Sequence, residues 1–385
     1  MGIRGVPARH GGFETFAERL APFLVANGWA VTVYCQEDKD VNTFRESTWQ
    51  GVRRVHIGVG ADTALNTIRF DWVSISHAIR DRPSIVLTLG YNTAAFGLRL
   101  RLAGIPNVLN MDGIEWSRKK WGPMARAWLY ANDWAGCLSA THLIADHPEI
   151  ARHLESRVAP RKITVIPYGA AAADDIGIEP LEAFGLKPGR FVTVIARPEP
   201  ENSILEIVQA FSARERGLEL VVLGNFKPES FPYHANVVAS ASKEVRFLGA
   251  IYDQTVVKAL RRHCLLYIHG HRVGGTNPSL LEAMGAGNPV LAHDNRFNRW
   301  VASDGAEYFA DATSCRDALN RLLGDEAKRG QLASANLDRA LGTFAWRDVL
   351  MAYGSLLTEV HRWAHGRSDW PRIPGALPQE NELKQ

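Results

Sequence analysis

Residues 269–295, HGHRVGGTNPSLLEAMGAGNPVLAHDN, set glycines, a helix start and a carboxylate in an order that would hold a nucleotide sugar. Leu265, Leu266, Tyr267 and Ile268 read as a buried strand, Gly274 and Gly275 as a loop, and 278–284 as the opening turns of a helix. Pro278 suits the first helical position, where a missing N–H costs nothing, and Asn277 suits the N-cap before it. The free N–H groups of that first turn and the helix dipole attract an anion, and glycines ahead of them let a diphosphate approach the backbone. Glu282, about one turn further on, could accept hydrogen bonds from sugar-ring hydroxyls. The plainer alternative, a simple loop followed by a solvated glutamate, fits the local pattern equally well.

Three other groups carry chemistry. GIRGVPARHGGFETF puts Gly2, Gly5, Gly11 and Gly12 ahead of a helix. It is not G-x-G-x-x-G, which argues against a nicotinamide site. Gly11 and Gly12 suit close backbone approach to a phosphate or sugar, and Glu14 either contacts a sugar hydroxyl or only complements the helix dipole. NMDGIEWSRKKWG, residues 110–122, sets Asp112 just past a strand, followed by Glu115 and the cations Arg118, Lys119 and Lys120. Such a loop either recognises an anionic acceptor bearing sugar hydroxyls or is ordinary surface, and Asp112 is the first choice for a residue at the reacting centre. In VIARPEPEN, Arg197 ends a strand and could neutralise a leaving diphosphate; its alternative is a surface pair with Glu199 or Glu201. His269, His271 and Arg272 add donors near the Gly-Gly loop. No third ligand accompanies the histidine pair, so no metal site is expected.

The elements that must position these residues alternate. Apolar helical spacing over 13–27 is stopped by Gly28, and 29–35 reads as a strand. Further buried runs at 84–89, 107–111, 143–145 and 163–166 are separated by helix-length segments. A second series, 191–195, 218–223, 245–248, 265–268 and 290–292, follows the Gly-, Ala-, Asp- and Pro-containing stretch 167–189, with helices at 204–212 and 253–262 between its strands. The pattern predicts an α/β chain with parallel sheets. It divides into an N-terminal Rossmann-like acceptor domain over 1–168, a linker over 169–189 and a C-terminal Rossmann-like donor domain over 190–345. A helix over 346–365 and a disordered tail over 366–385 complete the chain. Open parallel sheets bind ligands beyond the carboxyl ends of their strands, so an interdomain cleft is the expected site. The first Gly-rich loop begins almost at Met1 with no strand before it, which predicts a missing first strand and an exposed sheet edge.

Composition agrees with a globular protein of two domains: 385 residues, 46% apolar and 22% charged. The four cysteines are scattered, without the spacing of a zinc site, redox pair or disulfide framework, so a reducing cytoplasm is expected. No run approaches a membrane span, and the most apolar, 94–108, is interrupted by Arg99 and Arg101. Residues 1–168 hold 20 lysines and arginines against 15 acids, whereas the remainder holds 24 against 26, so the first half favours an anionic partner.

The blocks RGVPARHGGFETFAERL, NMDGIEW, RPEPEN and HGHRVGGTNPSLLEAM together resemble the GT-B retaining glycosyltransferases of family 4. Within that family they resemble a bacterial branch, with an N-terminal domain of unknown function, that includes rhamnosyltransferases of surface polysaccharide assembly. The resemblance covers residues 1 to about 365 and implies two Rossmann-like domains, the last helix crossing back to the first of them. It implies that Glu282, the second glutamate of an E-x7-E motif, binds the ribose, that Gly275, Thr276, Asn277 and Ser279 supply the diphosphate amides, and that Arg197 meets the donor phosphate. Asp112 then lies close to the transferred sugar, Gly11 and Gly12 near the donor, and Gly249 to Tyr252 at the base, with Glu14, Glu115, Arg118 and Lys119 left for the acceptor. Two positions depart from the family. Gly274 stands where the first glutamate belongs, leaving His271 as a substitute, and Asn202 stands where a lysine usually accompanies the arginine.

What the resemblance implies for function is transfer of a sugar, L-rhamnose being one compatible with the lost carboxylate, from a dTDP- or UDP-linked donor to a lipid-diphosphate-linked saccharide. Transfer would proceed with retention and without an essential metal or other cofactor. Nucleic acid is not an expected partner, and contact with the inner face of the plasma membrane follows if the acceptor is lipid-linked. Two alternatives stand beside this: a non-catalytic nucleotide-sugar binder or scaffold, and an epimerase or phosphorylase on the same fold.

Overall fold

Phe191–Ile195, FVTVI, and Glu219–Leu223, ELVVL, are apolar at nearly every position, as strands covered on both faces must be. The computed structural model describes residues 1–366 apart from 9, 10, 40, 42, 62, 174 and 175. It divides into two units, Met1–Tyr168 with the chain from Arg347 onward, and Gly169–Trp346. The tail expected to be disordered lies, from 367 on, outside the described residues.

In the first unit, β1 (Thr32–Glu37), β2 (Phe44–Trp49) and β3 (Val52–Gly58) form a sheet in the order β1-β3-β2. β4 (Val86–Leu89), β5 (Asn107–Asn110), β6 (His142–Ala145) and β7 (Ile163–Val165) form a second sheet, parallel and in sequence order. The β2–β3 hairpin closes through Gln50 and Gly51, both at positive φ, the two-residue turn that matches strand twist. A search for buried runs passes over this hairpin because β2 leaves most of its residues exposed. The edge expected to be bare beside the first loop is bridged instead. The Met1 amino group donates to the Leu87 carbonyl at 2.9 Å, Leu89 N–H donates to Met1, and Gln36 N–H donates to Arg4. The C-terminal helix Trp346–Ala364 packs on the helix Gly12–Ala26, with the Phe16 and Tyr353 rings 4.6 Å apart. Tyr353 also accepts from Asn110 Nδ2 at 2.7 Å, which ties the end of β5 to this helix.

The second unit is a six-stranded parallel sheet, built from β8 (Phe191–Ile195), β9 (Glu219–Leu223), β10 (Val245–Gly249), β11 (Leu266–His269), β12 (Val290–His293) and β13 (Ala306–Phe309). Val192, Val194, Val222 and Ile268 point to one face, against the helices Ile204–Ser212 and Ala312–Gly324. Phe191, Val221 and Tyr267 point to the other, against Gln254–His263. Each such side chain contributes roughly 1.5–3 kcal/mol by leaving water. The stretch expected as a linker is packed: Leu181 and Leu186 join the second cluster, and Glu179–Glu182 forms a short helix. The strand order β10-β9-β8-β11-β12-β13 reverses direction between β8 and β11. In open parallel sheets such a reversal point is where ligands bind, beyond the carboxyl ends of the two strands.

Candidate functional site

The reversal point lies where two of the sequence-predicted donor groups begin. Arg197 follows β8 by two residues, and the Gly-Gly loop follows β11. The two loops are stitched together. Arg272 N–H donates to the Glu201 carbonyl at 2.9 Å, Arg272 Nε donates to Ser203 Oγ at 2.8 Å, and its guanidinium pairs with Glu206. Gly270 sits so close that a Cβ there would meet the Asn202 carbonyl oxygen, so only glycine fits. Arg197 is exposed, and among the described residues its guanidinium has no ion-pair or hydrogen-bond partner. Asn202 does not take over the charge of the lysine it replaces. It is buried, and its Nδ2 donates to the Arg197 carbonyl at 2.8 Å, so it shapes the turn carrying Arg197.

The helix Pro278–Gly285 starts as its sequence requires. Asn277 is extended and its Oδ1 accepts from Ser279 N–H at 3.0 Å, while Pro278 opens the helix. Ser279 Oγ lies 2.5 Å from Tyr267 Oη and also donates to the Ile195 carbonyl, which fixes the helix start against β11 and β8. Glu282 is half-exposed, and its Oε2 lies 2.6 Å from Arg261, a buried arginine on Gln254–His263. That pair aims the carboxylate while leaving it accessible to a ribose-like diol. Gly249 ends β10 and Tyr252, just beyond it, is 79% exposed, free to lie against a flat ring.

Gly274 has φ +128°, a conformation that side-chain-bearing residues rarely adopt, although the space around it is open. The lost glutamate is therefore a change of backbone as well as of charge. Gly274→Ala is expected to cost about 1–3 kcal/mol from strain alone, read as a lowered denaturant midpoint. Gly274→Glu should be no better, so reintroducing the carboxylate restores nothing.

His269 and His271 stack with ring centroids 4.4 Å apart and an interplanar angle of 9°. His269 is buried, neither ring nitrogen has a hydrogen-bond partner, and burial holds its pKa well below the usual imidazole range. It is therefore a neutral imidazole, with one nitrogen able to donate and the other able to accept. The carbonyl of His271 accepts from Asn295 and Asn298, which anchors the loop after β11 to the start of the helix Arg296–Ala302 that follows β12. Among the described residues no group of three His, Cys, Asp or Glu is placed to hold a metal ion.

The first unit gathers its own set. Asp112 leaves β5 in the left-handed conformation, φ +52°, with its N–H donated to Asn110 Oδ1 at 2.8 Å. Burial pushes its carboxyl up to about 6, with Glu115 adding repulsion. Glu115 pairs with Arg118 at 2.5 Å and Lys120 at 3.9 Å, so two of the loop's cations are engaged within it; Lys119 is exposed. Gly11 is extended and caps the helix beginning at Gly12. Glu14 is turned inward: it is buried, and its Oε1 accepts from the Arg4 N–H at 3.1 Å. In this position it clasps the first loop.

Three residues that matter here escape a reading of sequence. Arg261 lies in a basic helix end, ALRRHC, that looks like a solvated complement to the dipole. Asn110 and Tyr353, 243 positions apart, fix the base of the Asp112 turn. Only the packing of the last helix reveals that pairing.

In sequence, residues 1–171 match the model described as a domain of unknown function (DUF1972), and residues 179–338 match the model described as glycosyl transferases group 1. No curated protein matches the chain. Solved structures match its fold at low identity. Sucrose-phosphate synthase from Thermosynechococcus elongatus has a TM-score of 0.77 at 16% identity, covering 95% of this chain and 98% of its own. HepE from Anabaena, solved with UDP and glucose, has a TM-score of 0.73 at 14% identity, covering 91% and 96%. The alpha,alpha-trehalose 6-phosphate synthase of Burkholderia multivorans has a TM-score of 0.72 at 13% identity, covering 96% and 97%. Such distant likenesses establish the fold, the GT-B type with two Rossmann-like domains that the sequence predicts. The chain thus joins a region that matches the DUF1972 model to a region that matches the glycosyl transferases group 1 model, on that fold.

Proposed function

We propose that this protein is a glycosyltransferase that moves a sugar from a dTDP- or UDP-linked donor to a lipid-diphosphate-linked saccharide, with retention and without an essential metal. The observation that carries the reading is the set of groups that follow β8 and β11: an exposed arginine with no partner among the described residues, an asparagine-capped helix start and, one turn into that helix, a glutamate held by a buried arginine. In this reading the first two are assigned to the diphosphate and the glutamate to the ribose. Helix N–H groups and Arg197 meet the diphosphate, and the same groups stabilise the charge that grows on it as the sugar departs. The donor phosphate takes the acceptor's proton, so no pair of catalytic carboxylates is required. On the first unit, Asp112 is assigned in this reading to the transferred sugar, and Arg118 and Lys119 to the acceptor's phosphates. L-rhamnose is the favoured sugar because Gly274 leaves room and removes a hydroxyl-binding carboxylate. The place of action is the cytoplasmic side of the membrane that holds the acceptor. Among the described residues no helix is long and apolar enough to cross a membrane.

A thermal-shift series with UDP-, GDP- and dTDP-sugars tests the donor. Selective binding at a hundred times the dissociation constant stabilises the fold by about 2.7 kcal/mol. Release of free nucleotide on adding lipid-linked acceptor then tests transfer. Stabilisation by a donor without release under any acceptor would favour the non-catalytic binder, a reading to which Asn202 and Gly274 give some support.

A further inference from the structure

The helix Pro123–Ser139, PMARAWLYANDWAGCLS, is partly inverted: Asn132 and Asp133 face the protein together with Leu129 and Cys137, while Met124, Trp128 and Leu138 face out. Asn132 and Asp133 are each 1% exposed and fully engaged. Asn132 accepts from Ala95 N–H at 3.0 Å and donates to the Trp128 carbonyl, and Asp133 binds Arg157, His153 and Trp116 Nε1. On the outward arc, Met124 is 89% exposed, with Trp128 and Leu138 beside it at helical spacing. The neighbouring helix Gly97–Leu102 adds Leu98 and Leu102, the latter 88% exposed. Arg101 joins the two helices by donating to the Leu138 carbonyl. A folded domain keeps such a surface only if something covers it.

Charge says what that is. The two helices contain a single acid, Asp133, which is buried and paired, whereas the half-buried Arg99 and the exposed Arg101 flank Leu98 and Leu102. A second copy docked on this face by a two-fold axis would set these cations against their own counterparts. An anionic lipid surface complements them, the apolar arc enters the acyl boundary, and tryptophan is the residue that favours that depth. Trp128 already satisfies its N–H through the Asn92 carbonyl at 2.8 Å, so its ring can enter lipid without stranding a donor.

We propose that the outward face of Pro123–Ser139, together with Leu98 and Leu102, is the surface by which this protein lies on a bilayer containing anionic phospholipid. The purpose of this docking rests on the lipid-linked acceptor proposed above; the surface itself does not. Full-length protein should co-sediment with phosphatidylglycerol-containing vesicles at least about tenfold more strongly than with phosphatidylcholine vesicles, and less so as salt is raised. The double substitution Met124→Asp with Leu138→Asp should abolish that binding by a similar factor. Both sites are exposed, so the circular-dichroism melt and donor-induced thermal shift should remain at wild-type values. Failure of the wild type to bind anionic vesicles, or equal binding by the double variant, overturns the proposal. So does light scattering that shows a dimer dissolved by Met124→Asp with no vesicle binding. Intact vesicle binding without any donor shift would instead sink the donor reading and leave the surface standing.

Discussion

Arg197→Ala is expected to lower sugar transfer by about a hundredfold or more while changing stability by no more than about 0.5 kcal/mol. The separation follows from its surroundings. The guanidinium is exposed and holds nothing in the protein, and what Asn202 grips is the Arg197 backbone carbonyl, which alanine retains. In the proposed reaction its use is toward the donor diphosphate, where a charge-assisted bond tightens as that group gains charge. The usual accompanying lysine is absent at Asn202, so no second cation at that position compensates. Nucleotide release measured alongside chemical denaturation checks both halves, and a stable variant that retains full turnover would remove Arg197 from the mechanism. Glu282 needs a gentler probe. Glu282→Ala strands the buried Arg261, at a cost of about 1–3 kcal/mol, so lost activity there would mix two causes. Glu282→Gln keeps an acceptor for Arg261 and should weaken donor binding by about tenfold, 1.4 kcal/mol, with a much smaller loss of stability.

The donor half of this site is legible in sequence because it depends on local rules. Asn277, Pro278 and the apolar pattern after them specify a capped helix whatever surrounds it, and the buried runs specify strands. The parallel order then puts Arg197 and the Gly-Gly loop on adjacent strand ends. What stays hidden depends on distant packing or on backbone conformation. Glu282 reads as a ligand, but its partner Arg261 becomes visible only once two helices lie side by side. Glu14 reads as a first-turn carboxylate that either meets a sugar hydroxyl or complements the helix dipole, and its bond to the folded-back first loop appears only in the structure. The β2–β3 hairpin stays hidden for a different reason: β2 is mostly exposed and polar, and a search for continuous apolar runs passes over such a strand. The stretch 169–189 looks like a linker for the same reason, since its two leucines are isolated in sequence and become core only in contact. The partly inverted helix Pro123–Ser139 follows the opposite logic. Its pattern is amphipathic, and only the structure tells which face is turned outward.

Asp112→Asn is expected to make the protein more stable and less active, a combination that a purely structural carboxylate would not give. The folded protein keeps the Asp112 proton up to about pH 6, chiefly because the carboxyl is buried and secondarily because Glu115 repels its charge. The unfolded chain releases that proton near pH 4. Between those values the folded state binds more protons, so its stability falls as pH rises, and above pH 6 the whole penalty is present. A shift of this size corresponds to about 1–3 kcal/mol, which asparagine should recover at pH 7.5 as a rise of several degrees in Tm. Below about pH 4, where both states are protonated, wild type and variant should melt together. Asparagine is the right probe because Asp112 sits at φ +52°, which asparagine tolerates and alanine does not. The turn is fixed by the Asn110 side chain and, through it, by Tyr353, so the carboxylate is held in place at a cost the fold alone does not need. If its use is to meet the hydroxyls or developing charge of the transferred sugar, the wild-type rate should climb through about pH 6 as it ionises. The variant should lose at least about tenfold, 1.4 kcal/mol, and show no such limb. A variant that gains stability while keeping the wild-type rate and pH profile would make Asp112 a strained turn residue and move the reacting centre elsewhere.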